Sequence, residues 1–449
     1  MTTDLIAHLR TTVHGSVVTP DDPSWDQERL AWHLLVPQQP AAIVHVDGVE
    51  DIQAAVRAAG AFGVKVAAQP RGHGATADTA TGTILLRFDR LRGIERRDDV
   101  VRVEPGVQWR ELNAVLEGTG YTALPGSNGD TSVIGYSVGG GLSWFSRKYG
   151  QAAHQIRAID LVDAEGNHRT VTADSDPDLF WAVRGGGGEF GIVTALELQL
   201  QAEEQVYGGR LIWPAEHGRE LLRAFAAVSD DAPEELSVWA WLMNLPDVDL
   251  VPEPMRGRWW IAIDVAFLGD GDDAEKLLAP LYDVAAPAFG ELAVVPLGQV
   301  GSIAQEPEDP MPAMGRIRLL NEFGGEAIDT LLDLMLDGPT PIAMIEVRRL
   351  GGAFARPRPG DGAAGVIEEP YLLLAGALAM APGDADEIEN AFHNLHTGMG
   401  RFLSDRVPPN LATVEPIEQL YPVETLERLR AIKRQVDPQD VIRGNHPVL

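Results

Sequence analysis

Three glycine clusters punctuate the chain, Gly72-His73-Gly74, Gly139-Gly140-Gly141 and Gly185 to Gly188. Glycine admits positive φ and puts no Cβ between a main-chain N–H and a ligand, so such loops can cradle a diphosphate without any lysine. Lysine stands only at positions 65, 148, 276 and 433, so backbone amides are the anion-binding route this chain has available. None of the clusters is a Walker loop, because no Gly-Lys-Ser/Thr follows. Gly186, Gly188 and Gly191 satisfy G-x-G-x-x-G, but a helical segment precedes them and a strand-like run follows, the reverse of the dinucleotide fingerprint. Gly135-Tyr136-Ser137-Val138-Gly139 fits the hydrolase G-x-S-x-G, yet lacks the apolar strand a nucleophile elbow needs, and reads better as a glycine-rich turn. His73 follows a strand-like run, and its glycine neighbours leave the imidazole unobstructed. No second His or carboxylate stands at metal-ligand spacing, so base, ordinary loop residue and covalent anchor all stay open.

The elements that must position these residues read as mixed α/β structure. Residues 41–46, 64–68, 83–88, 100–103 and 192–200 are β-branched or apolar runs, with helical periods at 49–61 and 109–116 between them. Ser175-Asp176-Pro177-Asp178 is a helix start with a polar cap and proline in the first turn. From about 206 the pattern changes to wide-spaced strands at 206–213, 236–244, 259–268, 343–350 and 371–380, with helical segments at 216–228, 273–284, 326–336 and 384–402. This predicts one broad sheet with helices on one face. A last helical segment with Leu426, Leu429, Ile432 and Val436 stops at Asp437-Pro438, and a tail carrying Asn445 and His446 follows. The expected division is 1–205, 206–405 and a C-terminal return at 406–449. A chain of 449 residues exceeds a single core of roughly 100–200 residues, which supports at least two lobes.

Composition narrows the function classes. With 36 basic and 66 acidic residues the formal charge is −30, which repels phosphate backbones and anionic lipid, so neither nucleic acid nor membrane is an expected partner. The absence of cysteine removes disulfides, thiolate nucleophiles, cysteine-ligated metals and any cysteinyl cofactor bond. No metal is expected. The N-terminal residues contain no unbroken apolar stretch of signal-peptide length, so a cytoplasmic location is the expectation.

Taken in order, Gln69-Pro-Arg-Gly-His-Gly-Ala75, Gly126 to Trp144, Lys148-Tyr-Gly150, Asp178 to Val193, and Arg428-Leu429 with Lys433, Asp437-Pro438 and Asn445 resemble the berberine bridge enzyme-like branch of the vanillyl-alcohol oxidase flavoproteins. The resemblance covers nearly the whole chain; Ile303, Asp309-Pro310 and Arg349 to Ala353 match it more loosely. It implies an α+β architecture, a two-lobed PCMH-type FAD-binding domain plus a substrate domain of antiparallel sheet covered by helices. It implies FAD bonded covalently through His73 and a pyrophosphate held by the amides of Arg71, Gly72, His73, Gly74, Ala75 and Thr76. The ring and diphosphate would be lined by Ser127, Asn128, Asp130, Thr131, Ser132, Gly135, Tyr136, Gly139, Gly140 and Gly141. Gly191, Ile192 and Val193 would meet the adenosine end, and Asn445 the isoalloxazine.

This chain departs from the family at several positions. Asn128 stands where many relatives carry a second, cysteinyl flavin link, so one histidyl bond is the most it can form, as in relatives similar to 6-hydroxy-D-nicotine oxidase. Thr131-Ser132 replaces a common Val-Gly, placing Thr131 near the position thought to gate oxygen. Glu189 replaces an Asn, a change expected to disturb a loop contact, and Pro408-Pro409-Asn410-Leu411 lacks a tyrosine that some bacterial relatives use. The proton acceptor is therefore sought among Tyr371, Glu346, Arg348 and Glu369, with Tyr136 and Tyr421 nearer the flavin; strand alternation puts Glu346 and Arg348 on one face, as a reactive pair or a solvated ion pair. The expected activity is hydride abstraction from a CH–OH or CH–N carbon of a small molecule, with O2 reduced to H2O2, in secondary metabolism, by a monomer or homodimer. The alternatives are a flavin dehydrogenase with another acceptor and a non-catalytic flavin-binding protein.

Overall fold

The computed structural model describes residues 2–249 and 251–449; residue 1, the first of the N-terminal segment read above, and residue 250 lie outside the described residues. Three principal sheets form along the chain. The first has four strands in the order Ser16–Val18, Ala42–His45, Ile84–Arg87, Val66–Ala68. Its last three strands run parallel, and they are continuous apolar runs because both faces are covered. The helix Val49–Phe62 packs Ile52, Ala55, Val56 and Ala59 against them.

The second sheet is antiparallel, with five strands in the order Ile94–Arg97, Val100–Val103, Ile192–Gln199, Ile156–Val162, His168–Val171. Helices Trp109–Leu116, Val133–Val138, Pro177–Gly186 and Val423–Val436 bury their apolar stripes on it. Asp176 caps the third of these, its carboxylate accepting from Leu179 N at 3.2 Å, with Pro177 in the first turn.

The third sheet has seven antiparallel strands in the order Phe289–Val295, Val206–Pro214, Arg258–Phe267, Leu236–Leu245, Met344–Arg349, Tyr371–Leu378, Ala313–Leu320. Helices Gly218–Asp231, Gly271–Tyr282, Gly325–Leu336 and Asp384–Met399 cover one face, burying Val238, Ala240, Ile261, Ile263, Ile345, Val347 and Leu373. The other face looks toward the first two sheets, and there Trp239 stacks on Trp144 with ring centroids 3.4 Å apart. The strands Ile156–Val162, His168–Val171, Phe289–Val295 and Ala313–Leu320 were not among the expected ones. Arg157, Asp160, Arg169, Glu291, Arg316 and Arg318 interrupt their apolar runs, so sheet pairing rather than local propensity decides them.

The chain's end returns to the first sheet. Val66 N donates to Val441 O at 2.8 Å and Arg443 N to Val66 O at 2.9 Å. Lys433, fully buried, locks this return: its Nζ donates to Glu189 O (2.9 Å), Asp437 Oδ2 (2.8 Å) and Ile442 O (2.6 Å). Glu189 does not disturb the loop as expected, because its Oε2 accepts from Gly444 N at 2.6 Å and ties the tail in place. Among the described residues no helix is long and apolar enough to cross a membrane.

Candidate active site

A cavity of about 600 Å³ lies between the seven-stranded sheet and the other two, and the glycine clusters and the charged face of the large sheet line it together. The turn after Val66–Ala68 puts Arg71 to Ala75 on its wall. Gly72 sits at φ +89 with a Cβ position 3.0 Å from Ala31, so only glycine fits the turn. The amide hydrogens of Gly72, His73 and Gly74 are taken by no described residue. Opposite, Cβ atoms on Gly187 or Gly188 would meet nothing within 4 Å, which leaves bare backbone facing open space.

His73 is held on two sides. Its ring stacks on Trp32 at 4.4 Å and 21°, while Trp32 Nε1 donates to Glu308 O at 2.9 Å. Nε2 lies 3.5 Å from the Asp130 carboxylate, and Nδ1 has no partner among the described residues. Asp130 is buried behind the ring, where Arg71 NH2 donates to its oxygens at 2.6 and 2.7 Å and Gln108 Nε2 donates at 2.9 Å. Burial works to raise the Asp130 carboxyl, but the contacts of His73 and Arg71 outweigh it and hold it below the usual carboxylate range.

The large sheet supplies the opposite wall through strand alternation. Register aligns Arg210, Asp264, Trp239 and Arg348 in one row across four strands, and Trp241, Glu346 and Leu374 in the next. Arg210 grips Asp264 at 2.6 and 2.7 Å, and Trp241 Nε1 donates to Asp264 at 2.7 Å. Arg348 grips Glu346 at 2.6 and 2.9 Å, its guanidinium 3.9 Å from the Trp239 ring centroid. Glu346 is 0% and Arg348 7% exposed, so this is a buried pair on the cavity wall, not a solvated one. Burial pushes the Glu346 carboxyl up to about 7 against the pull of Arg348.

A family model described as an FAD binding domain matches residues 40–172. Over 97% of both chains the sequence is 27% identical to (R)-6-hydroxynicotine oxidase of Paenarthrobacter nicotinovorans. The fold matches the Physcomitrella patens BBE-like 1 protein with a TM-score of 0.86 over 99% of both chains at 19% identity. The chain is an FAD-linked oxidoreductase, similar along its length to (R)-6-hydroxynicotine oxidase and in fold to BBE-like proteins. Variants of Phl p 4 have the same fold at a TM-score of 0.83 over 99% of both chains, at 17–18% identity, one a glucose oxidase and another a glucose dehydrogenase.

The lining fits FAD. Besides the untaken amides, Tyr136 Oη, Asn410 Oδ1 and Arg443 Nε are buried cavity-lining atoms without a hydrogen-bond partner among the described residues. A large polar cofactor is the kind of ligand that would satisfy them. Ser127, Asn128, Thr131, Ser132, Gly135, Tyr136, Gly139, Gly191, Val193 and Asn445 all line the cavity, as do Arg71 to Ala75.

Other residues fall elsewhere. Thr76 caps the short helix Ala77–Ala80, its Oγ1 accepting from Thr79 N at 3.3 Å. Asp130 stands behind His73 and lines nothing. Gly140 packs on Gln151 and Gly141 on the Tyr136 ring, where a side chain would collide, so their role is packing. Ile192 points from its strand into the first core, the face opposite Gly191 and Val193. Tyr371 is not a cavity residue: it sits under the helices, 5.7 Å from Phe323, with Oη donating to Asp230 at 3.1 Å. Its place one residue out of phase with Leu372 and Leu374 sends it to the wrong face. Glu369 is likewise outside, accepting from Ser404 Oγ at 2.8 Å. Tyr421 lines the cavity, but its Oη donates to Gly185 O at 2.8 Å.

Trp32, His33, Glu306, Met311 and Arg443 line the cavity without having been anticipated. Trp32 and His33 belong to an irregular, proline-rich stretch, and a bridge pairs His33 with Met311 far along the chain. No local period marks such residues.

Proposed function

We propose that this oxidoreductase abstracts a hydride from a CH–OH or CH–N carbon of a small molecule, with FAD bonded to His73 and O2 as the final acceptor. Bound FAD supplies the two-electron acceptor; the protein's work is to orient the reactive carbon and take a proton. Glu346 carries the reading. A carboxyl raised to about 7 accepts a proton from an O–H or N–H near neutral pH without holding it too tightly. Arg348 fixes the carboxylate from one side, and Trp241 and Leu374 flank it in its row. The same burial that raises Glu346 excludes water from the transfer.

The attachment rests on the held imidazole. Trp32 fixes the ring plane, and the Asp130 carboxylate, 3.5 Å from Nε2, faces that side of the ring, which leaves Nδ1 the nitrogen open to form the bond. The acceptor is the less constrained part, since oxidase and dehydrogenase variants of Phl p 4 share one fold. A dehydrogenase with Thr131 blocking oxygen at the cavity wall is the second reading. Anaerobic mixing with secondary alcohols, cyclic amines and sugars tests the activity: one class should bleach the visible flavin band, and air should restore it with release of peroxide. Bleaching by none of them overturns the reading; bleaching that only a dye reverses favours the dehydrogenase.

A further inference from the structure

Among the described residues two carboxylates line the cavity, Glu346 and Glu306, with Arg348 the arginine beside them. Asp264 is committed to Arg210 and Trp241, and Glu346 to Arg348, each through two short contacts from its arginine. Glu306 is the remaining carboxylate. It lies 3.8 Å from Arg348, beyond hydrogen-bond reach, and it makes no hydrogen bond to any described residue. Its side chain is 25% exposed and lines the cavity. Gln305 before it adopts φ +51, a left-handed conformation that L-residues adopt at a cost, and Pro307 follows, so the turn that presents Glu306 is fixed.

The same cavity has an apolar stretch of wall, with Met311, Ile317, Met344, Leu374 and Leu378 among its lining residues. Arg348, 3.8 Å away and already held by two contacts to Glu346, compensates this charge only in part, and a ligand cation would complete the compensation. A hydroxyl-rich ligand would find few side chains there to satisfy it.

We propose that Glu306 determines specificity by selecting a protonated amine with an apolar body, which docks its ammonium against Glu306 and its hydrocarbon on the methionine-rich wall. This rests on the oxidoreductase reading above and names its substrate class. Met311 and Met344 suit it, since thioether side chains adapt to apolar shapes.

Two unreactive isosteres test it by calorimetry with the cofactor-loaded protein: 3-hydroxyphenyltrimethylammonium and the neutral 3-tert-butylphenol. The cation should bind roughly tenfold or more tightly, as for a charge-assisted contact in a partly dry site. Glu306→Gln should erase that preference while holding the neutral probe within about twofold of wild type. Glu306→Asp should keep part of it, and equal thermal midpoints will certify both folds. Equal binding of the two probes, no binding of the cation at millimolar concentration, a preference that survives Glu306→Gln, or a parallel loss of both probes each overturns the proposal. Neither probe has a CH–OH carbon or a C–H on a neutral nitrogen from which hydride could leave, so this outcome is separable from the activity reading, which fails only if no substrate bleaches the flavin.

Discussion

Replacing Glu346 by Gln removes one titration and leaves the shape intact, since an amide oxygen can still accept from Arg348. In the folded protein this carboxyl is raised from 4.5 to about 7, with burial as the first cause. Between those two values the folded state binds a proton that the unfolded chain has released. The stability conferred is therefore complete below about 4.5 and is lost as pH rises through about 7. The two values differ by an amount equivalent to about 3 kcal/mol. Wild-type protein should lose about that much stability, relative to Glu346→Gln, between pH 4.5 and pH 8 in urea denaturation. With a substrate in hand, wild-type kcat/KM should rise with pH through a midpoint near 7. The variant should lose that limb and about a hundredfold or more in rate. Parallel stability curves for the two proteins, or an acid limb that persists in Glu346→Gln, would refute the assignment.

Lys433→Met should cost about 3–5 kcal/mol, because it strands the buried carboxylates of Glu189 and Asp437. It should also loosen the tail and weaken cofactor retention in dialysis; a denaturation midpoint equal to wild type would argue against this lock. Tyr371→Phe should leave turnover and its pH profile within about twofold of wild type, because the hydroxyl lies on the helix-covered face. A hundredfold loss in steady-state rate would place that hydroxyl in the reaction after all.

Backbone requirements made the cofactor half readable. A turn that only glycine fits, at Gly72, and a histidine between glycines are local features, so their spacing in the chain survives into the site. Strand alternation likewise brought Glu346 and Arg348 to one face. Tyr371 stood beside them as a candidate because a bare list of titratable residues carries no phase, and only the register with Glu346↔Leu374 and Arg348↔Leu372 shows which face it takes. Trp32 and Glu306 were illegible for another reason. They reach the cavity through loops whose position depends on contacts hundreds of residues away, such as Trp32 Nε1 donating to Glu308 O. Burial was also out of reach: nothing in the spacing separates a solvated Glu346–Arg348 pair from one buried against Trp239.

The proposed bond between FAD and His73 in this cavity leaves a mass signature. Intact-protein mass measurement after acid denaturation tests it directly, on wild type and on His73→Ala. Wild type should carry one FAD in mass, with the yellow colour precipitating with the polypeptide, and His73→Ala should show the bare chain with its flavin in the supernatant. Free FAD from wild type would contradict the bond, and a colourless protein that takes up no added FAD would contradict the site itself.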